Sequence, residues 1–169
     1  MLLIDLYICR IFHHLFSTMN LPRYLYASEE TFSVYEFTSI GPKGPIKKNV
    51  QFDQTSTENV FNLAFGDADD AKLVLNDLSI SNNADSIKVL ATVGSIVNSF
   101  MEKHPNAWIF ATGSTAARTR LYRMGIANNL EEITADYVVF GLSENGIWSE
   151  FMRGKDYNAF LFTKKGNIS

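Results

Sequence analysis

The sequence predicts an α+β domain with a mainly antiparallel sheet, an N-terminal β-meander leading into a β-α-β-α-β-β order. Three observations carry that reading. Between Arg23 and Ile80 short apolar or alternating runs follow one another with links too short for a crossover helix, so they should pair antiparallel. From Asp85 to His104 apolar residues recur at helical spacing. Then Ala107 to Ile126, AWIFATGSTAARTRLYRMGI, reads as a strand, a tight turn and a helix start. With 169 residues, 46% hydrophobic and 20% charged, the chain can bury a core of its own, and residues 19–169 are expected to form a single globular domain.

The first 18 residues, MLLIDLYICRIFHHLFST, are apolar but broken by Asp5, Arg10 and two histidines. They lack both the unbroken span of a membrane helix and the basic start and small-residue cleavage site of a secretory signal. Met19 is therefore read as the natural start, with residues 1–18 as a misassigned leader; the runner-up is an amphipathic partner-binding helix. Thr31 to Ile40 alternates Phe32, Val34 and Phe37 with polar residues, and Gly41-Pro42-Lys43-Gly44-Pro45 supplies a loop. Ile46 to Phe52, Val60 to Phe65 and Leu73 to Ile80 are the next strands, with a turn at Gly66 to Asp70. Asp67, Asp69 and Asp70 lack the further ligands and closing Glu of a calcium loop and are read as a solvated turn.

Ser81 to Asp85 should start the main helix, because Asn and Asp side chains cap free N–H groups there. Its apolar stripe is Ile87, Leu90, Val93, Val97, Phe100 and Met101, widened by Val89 and Ile96, and His104-Pro105 ends it. Trp108 to Ala111 forms a strand. A second helix from Ser114 to about Met124 presents Ala117, Leu121 and Met124 on one face and stops at Gly125, with Arg120 and Arg123 on the other side and Arg118 beside Tyr122. Asn128 to Glu132 then leads into a strand at Tyr137 to Leu142. Asn145-Gly146 before Ile147-Trp148 marks a hairpin turn, and Asn158 to Thr163 is the last strand.

The candidate site lies where the Trp108–Ala111 strand turns into the second helix. Free N–H groups and the positive end of the helix dipole converge there and suit an anion or phosphate. Gly113 permits the sharp turn, and Ser114 and Thr115 offer hydroxyl and amide donors. Arg118 and Arg120 supply positive charge, and Tyr122 an acid or a stacking surface. The competing structural reading makes Ser114 a helix cap and pairs the arginines with Glu131, Glu132 or Asp136. No metal is expected: Cys9 stands alone, His13 and His14 precede the domain, and His104 has no carboxylate pattern around it. The single cysteine fits a cytoplasmic chain.

The segments GPKGPIKKNVQF, VFNLAFGD, LSISNNADSIKVLATV, ATGSTAARTRLYRMGI and KDYNAFL together resemble a family of small uncharacterised bacterial proteins, common in Bacteroidetes and designated only as a domain of unknown function. The resemblance runs from Asn20 to about Lys165, supports Met19 as the start, and implies no activity. The element order also resembles the Gcn5-related N-acetyltransferase fold, in which a helix after the meander binds the coenzyme A pyrophosphate at its N-terminus. Leu121-Tyr122-Arg123-Met124-Gly125-Ile126 is similar to that fold's Leu-Tyr-x-x-x-Gly-Phe signature, with Tyr122 one residue closer to the glycine. The resemblance implies a coenzyme A cofactor, whereas Asn82 to Ser86 lacks the glycines of the pyrophosphate loop and would set Asp85 against the phosphates.

Three functional readings follow. The first is a ligand- or partner-binding domain with an anion or phosphate site for a phosphorylated small molecule at Gly113 to Arg118; a separate alternative, from the fold resemblance, is a degenerate acyltransferase-like enzyme using coenzyme A. The second is a protein-interaction module, for example in a defence or toxin–antitoxin system, supported by the lack of a Ser/His/Asp, Cys/His or paired-carboxylate constellation. Nucleic-acid contact through Arg118, Arg120, Arg123, Lys43, Lys47 and Lys48 ranks third, against a net charge of -3, and no membrane partner is expected. A deep pocket lined by Arg118 would favour the first reading, an exposed aromatic patch the second.

Overall fold

The computed structural model describes residues 21–68 and 83–168. Residues 1–18 of the leader and the strand expected over Leu73 to Ile80 lie outside them. Among the described residues one eight-stranded sheet forms, in the order β1-β2-β3-β4-β5-β8-β6-β7. The strands are β1 (Tyr26–Ser28), β2 (Val34–Gly41), β3 (Gly44–Gln54), β4 (Val60–Asp67), β5 (Trp108–Ala111), β6 (Tyr137–Leu142), β7 (Trp148–Glu150) and β8 (Ala159–Lys164). β2, β3 and β4 form the expected antiparallel meander, and β1, a strand not predicted from the sequence, extends it at the edge. Gly41 pairs with Gly44, so the expected five-residue loop narrows to Pro42-Lys43. β2 begins at Val34 rather than Thr31, because Thr31 and Ser33 both donate to the Glu29 carboxylate in a turn. Asn145-Gly146 turns β6 into β7, with Gly146 at φ 74° and Ser143 N–H bonded to the Ile147 carbonyl at 3.0 Å.

The β4–β5 pair is parallel and all other neighbouring pairs are antiparallel. Parallel neighbours need a crossover. Helix α1 (Ser86–Lys103) lies in it and packs on the sheet face formed by Tyr35, Phe37, Val50, Phe52, Phe65 and Ile109. Its buried side chains are Val89, Ala91, Thr92, Val93, Ile96, Val97, Phe100 and Met101. Phe100 stacks on Phe52 with ring centroids 3.9 Å apart and an interplanar angle of 9°. Ile87 departs from the expected stripe: it is 67% exposed, and the buried arc runs instead through Val89, Ala91, Thr92 and Val93.

The Asn/Asp cluster before α1 holds the sheet rather than capping the helix. Asp85 occupies the N-cap position but makes no side-chain cap bond. Its carboxylate accepts from the Tyr24 hydroxyl at 2.8 Å and the Ser39 hydroxyl at 2.6 Å. Asn83, 2% exposed, accepts from Lys43 N–H at 2.9 Å and donates to the Ser39 hydroxyl and the Gly44 carbonyl, each at 3.0 Å. A buried amide must find such partners, and here the β2–β3 hairpin supplies them.

Helices α2 (Ala116–Asn128) and α3 (Leu130–Asp136) cover the same face at the other end of the sheet. There Val139, Phe151, Tyr157 and Phe160 form a second core with Tyr122, Ile126, Leu130 and Ile133 against it. Three expectations are corrected here. Gly125 does not end α2: its bare Cα faces Leu90 of α1, where a Cβ would lie 3.2 Å from Leu90 Cδ1, so the helices approach closely. Leu130 to Asp136 is helical rather than a lead-in, because Leu130 and Ile133, one turn apart, reach the second core. Ala117 and Met124 are exposed, and the buried residue of α2 is Arg118.

Candidate functional site

At the start of α2 the cap is Thr115, not Ser114. The Thr115 Oγ1 accepts from Arg118 N–H at 3.3 Å. Gly113 is fixed by close approach: a Cβ there would meet Thr119 N and the backbone of Arg118. Its N–H is bonded to Thr119 Oγ1 at 3.2 Å and so turns inward rather than toward a ligand. An open cleft of about 460 Å³ remains at this helix start, lined by Gly113, Ser114, Thr115, Arg120, Arg123 and Asp156 among others. Arg123 is ion-paired with Asp156, and Arg120 is exposed and makes no ion pair among the described residues. The first-turn N–H groups of α2 open on this side, beneath the exposed alanines Ala116 and Ala117.

Arg118 and Tyr122 are not in this cleft. β5 ends at Ala111, opposite Leu63, so the second half of β4 runs past it, and among the described residues no strand pairs with β4 on that side. Arg118, 6% exposed, reaches this edge from α2, donating from Nη1 to the Phe65 carbonyl at 3.1 Å with its guanidinium 5.8 Å from the Phe65 ring centre. The same covered face holds the buried ion pair between Lys48 and Asp67. Tyr122 packs between the two cores; burial pushes its phenol above the ordinary value and the Arg118 guanidinium partly opposes that. The six sequence-predicted residues are thus divided, with Gly113, Ser114, Thr115 and Arg120 at the cleft and Arg118 and Tyr122 inside. The arginines do not pair as the sequence suggested either, for Glu131 meets Arg153 at 3.7 Å.

A wider groove of about 890 Å³ follows the β1–β2 edge. Tyr24 within it is covered by Lys88, 3.9 Å above its ring, and its hydroxyl is bonded to Asp85. Among the described residues no group of His, Cys, Asp or Glu gathers as a metal site, and no helix is long and apolar enough to cross a membrane.

The remaining feature is the opposite face of the sheet, on which no described α-helix lies; at its margin the 3-10 turn Lys165–Asn167 covers Thr163, with Asn167 Nδ2 donating to the Thr163 hydroxyl at 2.8 Å. Strand register puts one row of residues across it: Asp53, Asn62, Phe110, Leu161, Phe140 and Glu150. Trp108, Val138, Leu142 and Trp148 occupy neighbouring positions. Trp108 stacks on Phe140 at 6.2 Å, and Phe110 meets the edge of Trp148 at 6.3 Å. Trp148 is 40% exposed and Ile147 in the adjoining turn 63%. These are the only two tryptophans of the chain. Sequence reasoning did not find this face, although a signal was present. Tyr137–Leu142 (YVVFGL) and Trp108–Ala111 (WIFA) are apolar at every position, the pattern of strands covered on both sides, whereas β2 and β3 alternate.

A family model for DUF6934, described as a family of unknown function, matches residues 20–165. No curated protein and no solved structure matches the chain.

Proposed function

The chain belongs to DUF6934, a family of unknown function, and we propose that it is a protein-binding module whose docking surface is the uncovered apolar half of its sheet. One observation carries the reading: strands β5 and β6 are apolar throughout, as if covered on both faces, and the helices among the described residues cover one. Trp148, Phe110, Trp108 and Phe140 make a contiguous aromatic surface of the kind that supplies binding anchors, while β2 and β3 carry the polar residues Glu36, Thr38, Asn49 and Gln51 on the same face. A photo-crosslinking phenylalanine analogue at position 148, in the full chain expressed in its host, should yield a discrete adduct identifiable by mass spectrometry. The same group at Thr38 should yield none. No adduct at 148, or equal adducts at both positions, refutes the reading.

A second reading keeps the α2 cleft as a site for an anionic small molecule, such as a phosphorylated ligand or coenzyme A. Its support is Arg120, a cation without an ion pair among the described residues, set beside first-turn N–H groups that only alanines overlie. Inorganic pyrophosphate and coenzyme A at about 100 times their dissociation constants would add about 2.7 kcal/mol to stability. Arg120→Ala should abolish the resulting rise in melting temperature. An absent rise, or one unchanged in the variant, refutes it.

A further inference from the structure

We propose that the partner seated on the aromatic face is a basic amphipathic segment, one that lays apolar side chains along the strands and flanks them with lysine or arginine. The inference rests on the docking reading above and adds the partner's chemistry. The row across the face is apolar in its middle, at Phe110, Leu161 and Phe140, and acidic at both ends, at Asp53 on β3 and Glu150 on β7. Both acids are exposed, as are Glu58 in the β3–β4 loop and Glu144 in the β6–β7 turn. Along β5, β8, β6 and β7 the positions on this face carry no basic residue. The nearest lysine on it, Lys47, lies toward the far end of β3, 3.9 Å from Glu36.

The acids at the two ends stand five inter-strand steps apart, about 24 Å at roughly 4.8 Å per step. A helix about 10–12 Å across fits the apolar middle with room on each side for long basic side chains to reach the acids. A second copy of this chain laid row on row does not fit, because the row is acidic at both ends and such a two-fold arrangement sets carboxylates against carboxylates.

Both tryptophans lie on the face, so intrinsic fluorescence reports on it alone. The test uses the full chain with a helical peptide carrying leucines at heptad a and d positions and lysines beside them, and a counterpart with glutamate in place of every lysine. The lysine peptide should shift tryptophan emission to shorter wavelength, saturably and less tightly as salt rises, with a preference of about tenfold over the glutamate peptide, as a few exposed ion pairs would give. Asp53→Lys with Glu150→Lys should invert that preference, and circular dichroism checks that this variant folds. Equal binding of both peptides, binding of neither, or a preference that survives the double reversal overturns the proposal. A blue shift that grows with protein concentration alone, with a dimer in sedimentation, overturns it in favour of a second copy. An adduct at position 148 alongside any of these results leaves the docking surface standing and rejects only the basic partner, whereas loss of the adduct rejects the surface itself.

Discussion

Arg118→Ala separates a structural brace from a ligand clamp. The side chain is 6% exposed and donates a charge-assisted hydrogen bond of 3.1 Å to the Phe65 carbonyl, where β4 runs past the end of β5. Removing the donor leaves a buried carbonyl unsatisfied, a loss of about 1.5–3 kcal/mol. Loss of the aliphatic stem over Phe65 adds about 1 kcal/mol. A total of about 2–4 kcal/mol lowers the melting temperature of a chain this size by about 5–15 °C. Thermal unfolding followed by circular dichroism measures it, with Arg118→Lys expected between wild type and alanine because an ammonium keeps the charge but not the planar fork. Arg120→Ala, on the exposed side of the same helix, should stay within about 0.5 kcal/mol of wild type. If Arg118→Ala unfolds as wild type does, the brace is refuted.

Two further outcomes follow from the packing. Gly141→Ala should destabilise by about 1–3 kcal/mol in urea unfolding, because the new Cβ falls within the ring of Tyr157, which is 5% exposed and held by Phe151 and Phe160. Gly125→Ala should change stability by less than about 1 kcal/mol, since the gain in helix propensity offsets a 3.2 Å contact with a Leu90 side chain that can turn. Burial pushes the phenols of Tyr35 and Tyr137 from 10.0 to about 12, helped at Tyr35 by Tyr26 and Glu102 and at Tyr137 by Asp136 and Glu102. The unfolded chain therefore gives up these protons first, and stability falls as pH rises from 10 toward 12, by on the order of 2 kcal/mol per group at most. Phenolate absorbance should show late-titrating tyrosines, Tyr35 and Tyr137 foremost with Tyr122 beside them, that become ordinary on denaturation.

The meander, α1, β5 and the β6–β7 turn were legible because each rests on a local rule: alternation, helical spacing, or an Asn-Gly pair that tolerates positive φ. The errors fell where tertiary contact overrules such rules. Gly125 reads as a helix stop until Leu90 is seen opposite it, and the Asn83–Asp85 cluster reads as a cap until the hairpin at Lys43 and the Ser39 hydroxyl take its side chains. No single-sequence pattern says that β4 outruns β5 by half its length, and the hydrogen bond that holds Arg118 forms on that outlying half.

The same dependence explains why the candidate site divided. Arg118 and Arg120 are two positions apart on one helix, which turns them to opposite sides, one toward the sheet and one toward solvent. Sequence could place both on the helix but could not choose which side met the sheet, because Ala117, Leu121 and Met124 offered a rival apolar face. What decides is the stretch of β4 past the end of β5, where the Phe65 carbonyl takes a donor that an alanine or a methionine cannot provide. Once Arg118 is committed there, the cleft keeps only Arg120 and the Arg123 already paired with Asp156. The larger apolar surface open to a partner is then the face where both tryptophans lie.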